Sequence, residues 1–368
     1  MEQQTIGHAE LLEQMPAPLM RWYHAHARVL PWREQPTPYR VWLSEIMLQQ
    51  TRVAAVMPYF ERFLETLPSI SALAEADEET LMKLWQGLGY YNRARNLQKT
   101  ARIVMEKHRG MLPEKFEDLL ALPGIGRYTA AAVSSIAYGH CHPAVDGNVL
   151  RVITRLLCYG EDILKDRTKR TVEDALRKMY PRGKAGTLNQ ALMELGATVC
   201  VPHGAPLCGE CPLQSLCLAK KEHRIEDYPH KAQAKKRRVE YLTVLRLEQN
   251  GCFAIHKRPS KGLLAGLWEL PHLEGWPEKQ ELRHTLQQFG LAPLSMKALP
   301  DAVHIFSHVE WHMKGWHVRL ADASYVAEHA AALSPMPDGL IWETPAVLAQ
   351  NYSIPAAFQY FLPDTCRI

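Results

Sequence analysis

Long apolar runs are missing from this chain. No stretch approaches the roughly 20 residues that a membrane-spanning helix needs, so no membrane partner is expected. The opening MEQQTIGHAELLEQ has no basic region followed by an apolar core, so no secretory signal is expected and a cytoplasmic location is. Internal repeats and low-complexity tracts are absent as well. Excess charge of one sign is scarce: 43 Lys and Arg against 39 Asp and Glu leave a formal net charge of +4, too little by itself to announce a nucleic-acid partner. Such affinity has to come from local patches. The candidates are Arg93, Arg95, Lys99, Arg102 and Lys107, and the run from Arg151 to Lys184, although basic residues at helical spacing are more often a solvated face. With 47% hydrophobic and 22% charged residues in 368, the composition is that of an ordinary globular chain long enough for two domains.

From Ala17 to about Ala219, apolar residues recur at three and four, as in Leu73, Leu81, Leu84 and Leu88. That spacing predicts an all-α region of about ten helices. Residues 220–238 turn polar and lose the apolar stripe, which reads as an exposed linker. Beyond it the period becomes two. Val239, Tyr241, Thr243, Leu245 and Leu247 alternate, Asn250-Gly251 predicts a hairpin turn, and Cys252 to His256 returns. Glu278 to Phe289 reads as a helix and His304 to Leu320 as strand. The expected chain is therefore multidomain, all-α over 1–219 and α+β over 239–368.

Within the helical part, Leu122-Pro123-Gly124-Ile125-Gly126 is a tight turn followed at once by a helical run, Arg127 to Tyr138. Glycines 124 and 126 let another backbone come close, and a helix starting there points free N–H groups outward as an anion site. Some twenty residues on, Asp146 precedes the next helix in Val145-Asp146-Gly147-Asn148, where a helix N-cap is the plainer reading. Glu45 stands among apolar neighbours in Val41-Trp42-Leu43-Ser44-Glu45-Ile46-Met47-Leu48. An acid in such a place keeps its proton or finds a partner. A surface Glu at a helix start is the alternative.

Four of the eight cysteines, Cys200, Cys208, Cys211 and Cys217, fall at gaps of seven, two and five residues. With no secretory signal expected, metal ligation is the default over disulfides. A single C-x-x-C knuckle and uneven spacing suit an iron–sulfur cluster better than a structural zinc site. Cys141, Cys158, Cys252 and Cys366 are scattered and read as packed thiols.

Taken together, SEIMLQQTR, LPGIGRYTA, VDGNVLRVITRL and the cysteine cluster occur in the order found in the helix-hairpin-helix DNA glycosylases, and the chain resembles their adenine glycosylase (MutY) branch from about Leu30 to Cys217. The resemblance implies a monomeric, nucleoid-associated DNA repair enzyme acting on double-stranded DNA with adenine opposite 8-oxoguanine or guanine. It implies Glu45 as catalytic acid and later base for water, and Asp146 as anionic partner or transient nucleophile. Tyr128 stands where related endonuclease III-type lyases carry a lysine, so no Schiff base is expected there. Gln50 and Thr51 are expected beside the vacated base stack, and Leu88 and Tyr90 as a wedge beside the opposing base. Leu30-Pro31-Trp32-Arg33 resembles the pocket wall, with Arg28, Leu48, Asn148 and Gln190 as further contacts. The four cysteines would hold a [4Fe–4S] cluster, although the family's first gap usually has six residues and this one has seven.

Gly262-Leu263-Leu264-Ala265-Gly266-Leu267-Trp268-Glu269 looks like the start of a MutT/Nudix-type fold. The helix that would carry metal-binding carboxylates reads Glu281-Leu282-Arg283-His284-Thr285-Leu286-Gln287-Gln288, without the R-E-x-x-E-E ladder of a working hydrolase. A recognition module is expected instead, with Phe306-Ser307-His308 resembling the family's loop that inspects 8-oxoguanine.

Overall fold

The computed structural model describes residues 8–233, 236–321 and 339–366, and divides into two compact units. The first runs to Ala76 and resumes over Asn92–Gln233; the second comprises Asp77–Tyr91 and the chain from Ala234 onward. Both boundaries differ from those read in the sequence. Asp77–Tyr91 has helical spacing like its neighbours, yet Gln86 Nε2 donates to Ile354 O and Lys83 Nζ to Ala349 O. The expected linker is held to the first unit as far as Gln233. Tyr228 is buried and its carbonyl accepts from Arg155 Nε at 3.0 Å, while Ile163 N donates to His230 O.

The first unit is helical. The helices that build its site are α1 (Pro16–His26), α2 (Pro38–Leu48), α3 (Asn92–Lys107), α4 (Phe116–Leu120), α5 (Arg127–Ile136), α6 (Gly147–Leu157) and α7 (Ala185–Thr198). α2 starts with Pro38 in its first turn and Thr37 accepting from Arg40 N at 3.3 Å. It ends where Gln50 takes a φ of 58° and Arg93 of α3 covers the free carbonyls of Ile46, Met47 and Gln49 at 2.7–2.9 Å. α7 is central and packs on α1, α5 and α6. Two glycines permit that approach: a Cβ on Gly186 would stand 2.6 Å from Ser135 O, and one on Gly196 2.6 Å from Asn148 Cβ. Val149, Val152, Ile153 and Leu156 of α6 meet Leu188, Leu192 and Leu195 of α7 and Leu19 of α1 in one core. Each such side chain contributes roughly 1.5–3 kcal/mol by burial. The α4–α5 hairpin turns at Gly124, with φ 74°, and Thr100 Oγ1 donates to Pro123 O at 2.7 Å to tie it to α3.

The second unit is a mixed sheet. Its strands are β1 (Arg238–Gln249), β2 (Cys252–Lys257), β3 (Trp268–Glu269), β4 (His272–Glu274), β5 (Pro293–Ile305), β6 (Val309–Leu320) and β7 (Ile341–Glu343). Their order is β3-β2-β1-β6-β5, with β4 on β1 and β7 on β2. β1 and β6 pair in parallel and the other pairs are antiparallel. Asn250 and Gly251 have φ of 53° and 76°, the left-handed pair of a tight hairpin turn, as the sequence predicts. Helix α8 (Lys279–Gln288) lays Leu282 and Leu286 on Leu245, Leu247 and Val318. A second core holds Leu242, Val244, Trp311, Met313, Phe358 and Phe361. The fold class is thus α plus α+β, as expected. Among the described residues no helix is long and apolar enough to cross a membrane.

Candidate active site

A cleft of about 1130 Å³ opens in the first unit, lined from α2, α5, α6 and α7 and the loops beside them. Glu45 reaches it from α2. The burial of Tyr39, Val41, Trp42, Leu43, Ile46 and Met47 draws that helix inward and leaves Glu45 only 6% exposed. Tyr128, in the first turn of α5, donates its hydroxyl to Glu45 Oε2 at 2.5 Å and also approaches Met193 Sδ at 3.7 Å. Burial pushes the Glu45 carboxyl up to about 7; the Tyr128 hydrogen bond and Arg33 oppose this, and the charge of Asp146 adds to it. The Tyr128 hydroxyl is held well above its ordinary value, by burial and then by the Glu45 and Asp146 charges, so it remains a donor.

Asp146 is the N-cap of α6, the plainer of the two readings of its position, and it also faces the cleft. Its Oδ1 caps α6 by accepting from Val149 N at 2.8 Å, and its Oδ2 accepts from Asn148 Nδ2 at 2.8 Å, while the residue lines the cleft. Burial raises its carboxyl above the usual range against those N–H donors and Arg151, which favour the anion. The chain of contacts continues inward. Asn148 Oδ1 accepts from Arg151 Nη2 at 2.8 Å, and Arg151 also donates to Gly196 O and Cys200 O at 2.7 Å.

Arg28 and Arg33 line the cleft and converge on Glu194 of α7, a residue the sequence reading missed. Glu194 is buried and accepts from Arg28 Nε at 2.6 Å, Arg28 Nη2 at 3.0 Å and Arg33 Nη2 at 2.8 Å. Burial alone would raise its carboxyl, but the two guanidinium groups outweigh it and hold it below its ordinary value. Beside them Tyr23, also missed, donates to Gln190 Oε1 at 3.1 Å, with the Arg33 guanidinium 5.5 Å from its ring centroid. Trp32 is buried edge-on against Phe60 at 5.3 Å. Trp32, Leu48, Gln50, Thr51, Asn148 and Gln190 all face the same cleft.

Other residues lie elsewhere. Leu88 and Tyr90 belong to the second unit. Leu88 is 6% exposed and Tyr90 45%, so the structure presents the tyrosine, while the leucine expected as a wedge is packed inward. Arg93 is not part of a basic face, because its guanidinium is spent on the end of α2. At the hairpin tip Gly124, Gly126 and Arg127 are exposed. Gly126 provides no side-chain cap, which leaves the first N–H groups of α5 available.

The four clustered cysteines line one pocket whose walls are Val152, Leu156, Leu195, Val199, Pro206 and Leu213. Among the described residues no three His, Cys, Asp or Glu side chains stand close enough to share a single metal ion. The four thiols nonetheless border the same small pocket. Arg155 Nη1 donates to Cys200 Sγ at 3.3 Å. Burial pushes Cys211 up to about 12 and raises Cys208 and Cys217, each with a neighbouring thiol adding to it. Free thiolates are disfavoured there, and metal cations would supply the missing charge.

In the second unit, Phe306-Ser307-His308 forms the turn between β5 and β6. Ser307 and His308 are exposed and Phe306 is half-buried.

Residues 43–181 match the model of the HhH-GPD superfamily base excision DNA repair proteins, and residues 242–363 match that of the NUDIX domain. The adenine DNA glycosylase of Mus musculus is 34% identical over 88% of this chain and 73% of its own. That of Homo sapiens is 33% identical over 95% and 74%. The adenine DNA glycosylase of Buchnera aphidicola subsp. Acyrthosiphon pisum is 34% identical over 84% and 87%. Among solved structures, a thermostable thymine-DNA glycosylase covers 58% of this chain and 98% of its own, with 26% identity and a TM-score of 0.51. The paired carboxylates, the hairpin and the identity carried across both units agree: this chain belongs to the adenine DNA glycosylase family.

Proposed function

We propose that this chain removes adenine from duplex DNA where it is mispaired with 8-oxoguanine or guanine, leaving an abasic site. The observation that carries the reading is one cleft holding two carboxylates in different surroundings: Glu45, buried and raised to about 7, and Asp146, half-buried at a helix N-terminus with two N–H donors. Adenine is a poor leaving group until a ring nitrogen is protonated, and the base must leave the stack to be reached. Glu45 gives its proton to that nitrogen. The C1′–N9 bond then breaks with its electron pair going to adenine, and the deoxyribose becomes an oxocarbenium ion. The Asp146 carboxylate stabilises that cation. Water adds to C1′ and Glu45, now anionic, takes its proton. Tyr128 orients Glu45, and Glu194 with Arg28, Arg33 and Gln190 supplies hydrogen-bonding edges to the cleft wall.

Tyr128 occupies the place beside Glu45 where a lysine would act as nucleophile, so the reaction stops at the free base. Borohydride should trap no covalent complex with DNA; efficient trapping would favour an endonuclease III-like lyase. Cys200, Cys208, Cys211 and Cys217 would hold a [4Fe–4S] cluster, which would shape the 200–217 loop against α6 and α7. The NUDIX-like unit lacks the carboxylate ladder of a hydrolase on α8. Its Ser307 can donate to or accept from the altered N7/O8 edge of 8-oxoguanine, which gives discrimination by hydrogen bonding. Single-turnover excision from duplexes with adenine opposite 8-oxoguanine, guanine or thymine, with and without alkali, tests the whole reading. Release of adenine fastest opposite 8-oxoguanine, with strand breakage only after alkali, is the expected result.

A further inference from the structure

Beneath the Phe306-Ser307-His308 turn lies a buried assembly that the reaction just described does not use. Trp311 of β6 is 3% exposed. Its indole N–H donates to Glu240 Oε2 at 2.7 Å, and its ring meets Phe306 edge-on at 4.9 Å and Phe358 at 5.8 Å. The Arg258 guanidinium lies 5.7 Å from its centroid. Arg258 is itself fixed, with Nε donating to Leu263 O at 2.9 Å and Nη1 paired to Glu269. Glu269 is 2% exposed, with His256 Nε2 at 3.1 Å and His272 Nδ1 at 3.6 Å. A buried Arg–carboxylate pair adds little net stability over a well-packed apolar pair. What it provides is a guanidinium plane with one allowed position.

The turn is pinned to this seat. Phe306 stands between Trp311 and His304, 4.7 Å away on its other contact. Phe306 N donates to Val309 O at 2.8 Å, Phe306 O accepts from Arg237 Nε at 3.1 Å, and His308 O accepts from Arg238 N at 3.1 Å. Within the tripeptide only Ser307 and His308 are exposed, so Phe306 is its foot and the other two are its reading end.

We propose that Arg258 and Trp311 are positioning residues for base discrimination: together they set the height and angle of the Ser307–His308 tip. The proposal rests on the recognition role given above to that tip. Hydrogen-bond discrimination is steep in distance, so a displacement near 1 Å at the tip costs much of the preference while leaving excision chemistry in place.

The test uses the full-length protein carrying Arg258→Met with Glu269→Gln, which removes both charges together and leaves no unpaired buried ion. Trp311→Phe is the second variant, keeping an aromatic ring but losing the bond to Glu240. Single-turnover excision is measured opposite 8-oxoguanine and opposite guanine, beside the Phe306→Ala/Ser307→Ala/His308→Ala variant. The expected result is a fall of about tenfold in the 8-oxoguanine preference, with the rate opposite guanine within about twofold of wild type. Equal losses on both substrates would overturn the proposal, since a merely structural role lowers both. A normal preference in the seat variants, with a reduced one in the triple variant, would also overturn it. An unchanged preference in the triple variant would instead remove the recognition role of the tip itself.

Discussion

Replacing Glu45 with glutamine separates what a buried acid costs the fold from what it does for the reaction. Its carboxyl is moved from 4.5 to about 7, first by burial. The folded protein therefore holds this proton more tightly than the unfolded chain does. The associated stability is complete below pH 4.5, falls as pH rises, and is lost once pH passes about 7. At about 1.4 kcal/mol per pH unit, the loss amounts to roughly 3 kcal/mol. Glutamine keeps an oxygen for the Tyr128 hydroxyl and carries no proton to lose. Between pH 5 and pH 8 the variant should therefore gain roughly 2–3 kcal/mol relative to wild type, read as the difference between their urea denaturation curves at each pH.

Activity should move the other way. Removing the general acid should lower single-turnover excision by about 10²–10⁴-fold while lesion DNA still binds. In the wild type the required form is protonated Glu45, so the rate should fall about tenfold per pH unit above the folded-state value and flatten below it. A wild-type profile that stays flat from pH 6 to 9, or a glutamine variant as pH-dependent in stability as wild type, would refute the assignment of that carboxyl.

Three further outcomes follow from the same geometry. Asp146→Asn keeps the Val149 cap through its side-chain oxygen but removes the charge, so excision should drop about 10²–10⁴-fold with little change in melting temperature; normal single-turnover rates would exclude Asp146 from the reaction. Gly196→Ala puts a Cβ 2.6 Å from Asn148 Cβ and 3.0 Å from its Cα. It should therefore destabilise by about 1–3 kcal/mol and slow excision more than DNA binding, as measured by denaturation and gel shift. Protein purified without oxygen should show the broad visible absorbance of an iron–sulfur cluster and contain iron by elemental analysis. Cys211→Ser should lose both, and a protein holding zinc instead would overturn the cluster.

The legible parts of this molecule are those whose cause lies within a few residues. Glu45 is surrounded by apolar neighbours in its own helix, Asp146 immediately precedes the helix it caps, and Asn250-Gly251 is read as a turn from two residues alone. Glu194 carries the same local signal as Glu45, an acid between Leu192 and Leu195 on a buried helix. It was missed because the signal shows only the cost of burial. What offsets that cost is supplied by Arg28 and Arg33, which lie 166 and 161 residues away in the chain. Arg93 fails in the opposite sense. Spacing groups it with Arg95, Lys99 and Arg102 as a basic face, but the carbonyls at the end of α2, from a separate stretch of chain, turn it inward. The grouping of Asp77–Tyr91 with the second unit has the same origin, since the hydrogen bond from Gln86 to Ile354 spans 268 residues. Periodicity states which faces must be covered, and the covering partner is a property of the tertiary fold. The two carboxylates that face the cleft could therefore be picked out in the sequence, whereas the pairing of Arg28 and Arg33 with Glu194 appears only in the structure.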